Sequence, residues 1–203
     1  LPLDVVMVPF DMDRLYEPKH PEVLRINPRR QVPVLVHGDL EIFDSTQIFE
    51  YFEHLKPEPP LWPAGPAARA RARLTEHKAD EIYFPHIVRL MSLQDRLCDE
   101  PAVAALAGAG RFYLEMERQI GERDFLAGDY SLADIAFFMA QLFGERMNAR
   151  LTEAHPNLIA WRARMTRRPA VREVVGPMVA YLVSVGRPTP PFLAELRDDE
   201  PAT

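Results

Sequence analysis

Cysteine is almost missing from this chain. Cys98 is the only one in 203 residues, so no internal disulfide can form and a reducing compartment is favoured. Cys98 itself reads as a half-buried structural thiol late in a helix. A basic excess is missing too. The formal net charge is −6, with 24 Lys and Arg against 30 Asp and Glu, which argues against a nucleic-acid partner because clustered cations are needed to displace counterions along a phosphate backbone. The one basic run, Arg69, Arg71 and Arg73, alternates with alanine and reads as a solvated helix face or an interface that meets acids. No apolar run approaches the roughly 18 residues of a membrane span and none reads as a signal peptide, so no membrane is expected and the expected location is cytoplasmic. No motif asks for a metal. The composition, 47% hydrophobic and 27% charged, is ordinary globular usage.

Proline is what the chain has in quantity, with 20 residues, and it marks the boundaries. The densest cluster, KPEPPLWPAGP, cannot be regular structure, because each proline removes a donor and constrains its predecessor. Residues 57–66 therefore read as an interdomain linker anchored by Trp62, between a first domain over 1–56 and an all-helical second domain over 67–203. A helix from about Ala67 to Leu97 carries Leu74, Ile82, Ile87, Leu90 and Leu97, with Pro85 kinking its interior. A second runs from about Pro101 to Gly121. The third has the best-defined start in the chain: Ser131 caps it, Asp134 closes the capping box and Tyr130 staples onto Ile135. Shorter helices follow around Asn157 to Thr166 and Pro169 to Val175, before a partly loose tail from Pro188.

The segment from Asn27 to Leu55 carries the functional information. Val34 to His37 and Leu40 to Phe43 are short β-prone runs joined by Gly38-Asp39, a hairpin turn. Asp44 then caps a helix, with Gln47 placed to return the hydrogen bond and Ile48, Tyr51, Phe52 and Leu55 along one face. Free N–H groups at such a helix start, beside the Ser45 and Thr46 hydroxyls, suit a carboxylate. Val32-Pro33 opens the first strand, where proline cannot donate to a ladder. A cis bond there would turn the N–H and C=O of Val32 outward to pair with a peptide.

Asn27-Pro28, Gln31-Val32-Pro33, Leu35 and Asp44-Ser45, in that order on a strand, hairpin and helix start, resemble the thioredoxin-like domain of the glutathione transferases. The run FLAGDYSLADIAFF, Phe125 to Phe138, resembles the buried capping-box helix of their C-terminal domain, so the resemblance spans almost the whole chain. It implies a soluble, bacterial-type member with an α/β domain followed by an all-α helical bundle, acting as a homodimer. Carried over residue by residue, Val32 ahead of Pro33 would hold the cysteinyl backbone of glutathione, Asp44 and Ser45 would hold its γ-glutamyl end, and Gln31 would reach towards the tripeptide. Lys19 or His20 would meet the glycyl carboxylate.

Leu1 to Val6 looks like the family's second strand. The resemblance then implies that the first strand and helix, roughly 20–25 residues at ordinary element sizes, precede Leu1, the rival reading being a rearranged domain. The thiol-activating Ser, Tyr or Cys of the family belongs to that segment, so the catalytic residue is expected upstream of Leu1 and none is assigned in this chain. Tyr16 reads as a loop residue. The second substrate of the family, an electrophilic small molecule, lies in the cleft between domains against the helix after the linker, where Tyr83, His86 and Leu90 share one face. Core or dimer packing is the competing reading of those three, and Asp80 stands near them as an acid that reaches the γ-glutamyl amine across the dimer in some members. Two functions follow: a glutathione transferase adding the thiolate to an electrophile, with isomerase, dehalogenase and thiol reductase as variants, or a glutathione-binding or regulatory protein without turnover.

Overall fold

The computed structural model describes residues 2–8, 17–93 and 96–196. They fall into two compact units, Leu1–Leu61 and Trp62–Thr203. The first unit begins with helix α1, Pro21–Ile26, whose start is capped by the His20 ring nitrogen accepting the Glu22 N–H at 3.3 Å. Asn27 ends it and folds the next turn. This buried side chain donates to the Gln31 carbonyl at 2.7 Å and accepts the Arg29 N–H at 2.9 Å, while its own carbonyl takes the Arg30 N–H at 2.8 Å. The Val32–Pro33 bond that follows is cis. Strands β1, Val34–His37, and β2, Leu40–Phe43, pair antiparallel with Val34 opposite Phe43 and His37 opposite Leu40. Gly38, at φ +64°, opens the two-residue turn between them, a backbone setting that costs glycine nothing.

Helix α2, Ser45–Leu55, packs on this hairpin, and its Tyr51 hydroxyl meets the His37 ring nitrogen. On α1, Arg25 binds both Glu22 and Glu41, which ties α1 to β2. Among the described residues of this unit the buried apolar ones are Val23, Ile26 and Ile48. Residues 2–8 are not the strand expected of them. A strand needs a hydrogen-bonded neighbour, and among the described residues the sheet has only β1 and β2; Val5, Val6 and Met7 stay exposed. Tyr16 lies outside the described residues.

The second unit is helical and holds a large core. Trp62, 2% exposed, opens it beneath the Arg73 guanidinium, 5.6 Å from the ring centroid. Helix α3, Pro66–Lys78, then passes into a five-residue π-helical turn, Ala79–Tyr83, and α4, Phe84–Met91. The wide turn precedes Pro85, which has no N–H for the preceding turn and whose ring would crowd its carbonyl. The single long helix expected over 67–97 is thus three segments and stops at Met91, where the Ser92 hydroxyl donates to the Arg89 carbonyl and the bond from the Leu93 N–H to the Leu90 carbonyl tightens the chain into a turn. Its buried face also differs from the leucine spacing. Ala72, Thr75, Glu76, Ala79 and Tyr83 face inward while Leu74 and Ile82 are about half exposed, because small residues let α3 approach the helix opposite.

That opposite helix is α6, Leu132–Arg146, and α5, Glu100–Ile120, packs against α4. Ser131 and Asp134 close a complete capping box at the start of α6. Asp134 does more, accepting the Leu126 N–H at 2.9 Å and the Trp161 indole N–H at 2.9 Å, so one carboxylate joins loop, α6 and α7, Pro156–Thr166. Burial pushes its carboxyl above the usual range while these donors pull it down. Tyr130 packs edge-on to Phe125 and under the Arg168 guanidinium. Glu117 of α5 caps α7 from outside, accepting the N–H groups of Asn157 and Leu158 at 2.9 Å each. Helix α8, Pro169–Ser184, runs well past Val175 because Val175, Val179 and Leu182 are all buried, which outweighs Pro177 inside it. The tail forms a 3-10 helix, Pro191–Leu196, seated by the buried Leu193.

Candidate functional site

The β1–β2 register does the assembling. Val34 stands opposite Phe43, so β1 begins and β2 ends at the same edge of the hairpin, with Val32–Pro33 preceding the one and Asp44–Ser45 following the other. Val32 is 44% exposed, and among the described residues no main-chain group pairs with its N–H or C=O. Gln31 is exposed at the same edge, its carbonyl held by Asn27. Asp44 and Ser45 are half-buried at the start of α2, where the helix dipole and the first N–H groups favour negative charge. The Asp44 carboxylate accepts the Gln47 N–H at 3.3 Å.

Asp44 departs from an ordinary cap in one respect. Its φ is +77°, outside the extended setting of the usual N-cap, and a non-glycine residue held there costs on the order of 1–3 kcal/mol. The Gln47 side chain lines an open hollow of about 480 Å³ together with Arg29, Glu41, Ile42, Phe43 and Asp44. Charge in this hollow is mixed. Glu41 is already bound by Arg25, whereas Arg29 is exposed and no described carboxylate pairs with its guanidinium. Arg29 is the residue that sequence reasoning passed over. It stood in the Asn27-Pro28-Arg29-Arg30 turn, but its nearness to β2 and Asp44 is a tertiary fact.

The remaining sequence candidates are dispersed. His20 is engaged as the α1 cap and Lys19 pairs with Glu17 at 3.3 Å. Tyr83 and Leu90 are fully buried in the helical core; the Tyr113 hydroxyl donates to the Ala149 carbonyl at 2.7 Å, which leaves the Tyr83 hydroxyl as the donor to Tyr113. Burial holds both tyrosines well above the usual phenol range. Of the three electrophile-site candidates only His86 meets solvent, lying flat on Gly108 of α5; burial and then Arg111 hold its imidazole below the usual histidine range. Asp80 is half-buried in the π-helical turn. Cys98 is exposed rather than half-buried, because α4 ends before reaching it. Among the described residues, no three His, Cys, Asp or Glu side chains gather as a metal site, and no helix is long and apolar enough to cross a membrane.

Residues 1–55 match the family model of the glutathione S-transferase N-terminal domain, and residues 94–169 match that of the C-terminal domain. The chain is 35% identical over 78 residues to a stringent starvation protein A homologue of Haemophilus ducreyi, covering 38% of this chain and 36% of that protein. It therefore spans about a third of that relative's length. It is 30% identical over 172 residues to glutathione S-transferase F10 of Arabidopsis thaliana, covering 78% and 79% of the two chains. Among solved structures, a glutathione S-transferase from Methylobacillus flagellatus with glutathione bound superposes with a TM-score of 0.67 at 27% identity, over 76% of this chain and 81% of that one. The hairpin-and-helix unit is thus the thioredoxin-like domain and the helical unit the second domain of that fold. On its motifs, both domain matches and an F10 relative matched over most of its length, the chain belongs to the glutathione S-transferase family.

Proposed function

We propose that the chain binds glutathione through its first unit and serves a transferase that adds the glutathione thiolate to an electrophilic small molecule. The observation that supports this reading is the strand register, which pairs the first residue of β1 with the last of β2, so that the open main chain of Val32 leads into the edge from which Asp44 and Ser45 start α2. Val32 pairs with the cysteinyl backbone, as one more strand pairs with a sheet edge. Asp44 takes the γ-glutamyl ammonium, and Ser45 with the first N–H groups of α2 takes the adjoining carboxylate. Gln31 and Pro33 shape the same edge. Free cysteine, with a pKa of about 8.5, is mostly thiol at neutral pH, so turnover rests on stabilising the thiolate and holding it near the electrophile. No residue of this chain is assigned that thiol-activating role. The working form is a cytoplasmic homodimer that needs no metal.

The second reading is a glutathione-binding protein without turnover, since the fold does not by itself guarantee activity and one relative, 35% identical over 78 residues, carries a name other than transferase. Retention on immobilised glutathione, followed by conjugation of an activated aryl halide, separates the two. Retention with turnover supports the transferase, retention alone supports the second reading, and absence of both contradicts each.

A further inference from the structure

We propose that the helical core holds an internal water between the amide oxygen of Gln141 and the hydroxyl oxygen of Tyr83, a hydration site sealed from bulk solvent. It stands independently of the glutathione reading. The site follows from counting donors and acceptors. Gln141, on α6, is fully buried, and its amide nitrogen donates to a Glu145 carboxylate oxygen at 2.9 Å. That contact fixes which way the amide points. The same Glu145 oxygen also receives the Leu151 N–H at 3.0 Å and the Arg162 guanidinium, so it is an ionised acceptor, and a turned amide would set oxygen against oxygen.

The other amide proton goes to Tyr113. Burial raises the Tyr113 hydroxyl above the usual phenol range, while hydrogen bonds from Tyr83 and Gln141 pull it down, as donors to its oxygen do. With its own proton on the Ala149 carbonyl, the Tyr113 hydroxyl is complete. Tyr83 has given its proton to Tyr113 and keeps only lone pairs. Gln141 Oε1 and the Tyr83 oxygen, both on groups that bond Tyr113, are thus acceptors to which no described group donates. A buried acceptor left in that state costs about 1–3 kcal/mol. Water carries two protons and meets both acceptors at once, as buried waters do when they bridge polar groups the chain leaves open. The rings of Phe112 and Phe137, centred 5.2 and 5.5 Å from that of Tyr83, wall the position from solvent.

The test joins crystallography of the full chain to a count of its long-lived waters in solution. A high-resolution map is expected to show an isolated density peak about 2.5–3.2 Å from both Gln141 Oε1 and the Tyr83 oxygen. Oxygen-17 relaxation dispersion supplies the count. Gln141→Met keeps the length of the side chain and deletes the acceptor, so the count is expected to fall by one, with far-UV circular dichroism confirming that the variant is folded. A close-packed contact without density at Gln141 Oε1, a protein donor bonded to it, or an unchanged count in the folded variant overturns the site. Should Gln141→Met fail to fold, the wild-type map alone decides.

Discussion

At the scale of single residues, Asn27 and His86 have different duties. Asn27 is buried with both ends of its side chain used, one on Gln31 and one on Arg29, so it sets the turn on which the ligand edge depends. Asn27→Ala removes two hydrogen bonds whose partners then reach water, a loss of about 1–2 kcal/mol in a denaturant titration, with weaker glutathione binding because Gln31 and Arg29 lose their anchor. His86 packs on Gly108, where burial disfavours its charged form. A histidine with a lowered folded pKa contributes stability that is complete above its unfolded value, about 6.5, and is lost as pH falls through the folded one. The midpoint of urea unfolding is therefore expected to fall as pH drops below about 6.5, and His86→Leu is expected to flatten that slope.

At the scale of elements, close packing decides more than apolar spacing. A Cβ on Gly144 of α6 would overlap the Tyr83 hydroxyl and come within 3.0 Å of the Tyr113 hydroxyl. Gly144→Ala is expected to cost about 1–3 kcal/mol of stability, the usual price of overpacking, and Tyr83→Phe in the same chain to recover part of it. Glu117→Ala uncaps α7, and about 1 kcal/mol of loss, measured by thermal or urea unfolding, is expected. The elements legible in the sequence are those with local signals. The hairpin and α2 followed from Gly38-Asp39 and Asp44 within a residue or so of their observed bounds, and the start of α6 followed from Ser131 with Asp134. Where tertiary burial overrides local signals the sequence misled: α8 continues through Pro177, the long helix after the linker breaks at a π-helical turn, and Leu74 faces out. The candidate site divides the same way. Turn and cap signals single out Val32, Asp44 and Ser45 at the two strand ends, whereas the hollow that Arg29 shares with Asp44 arises only through folding.

At the scale of the whole molecule, the two units differ sharply in what holds them. The helical unit buries a cluster centred on Tyr83, Phe112, Tyr113, Phe137 and Trp161, with Phe137 stacked on Trp161 at 5.3 Å. Among its described residues the first unit buries Val23, Ile26 and Ile48 beside a two-stranded sheet, a small core for independent stability. Amide hydrogen exchange is therefore expected to be faster in β1, β2 and α2 than in α5 to α7. Glutathione at about a hundred times its Kd is expected to slow exchange in the first unit, up to the roughly 2.7 kcal/mol that such saturation supplies. Faster exchange in the helical unit would contradict this ordering. The most direct measurement of the central claim is the map of backbone amide shifts on titrating glutathione into the labelled protein. The account predicts saturable changes concentrated at Gln31, Val32 and residues 44–47, and their loss in Ser45→Ala with the rest of the spectrum unchanged. Changes confined to the helical unit, or none at all, would contradict it.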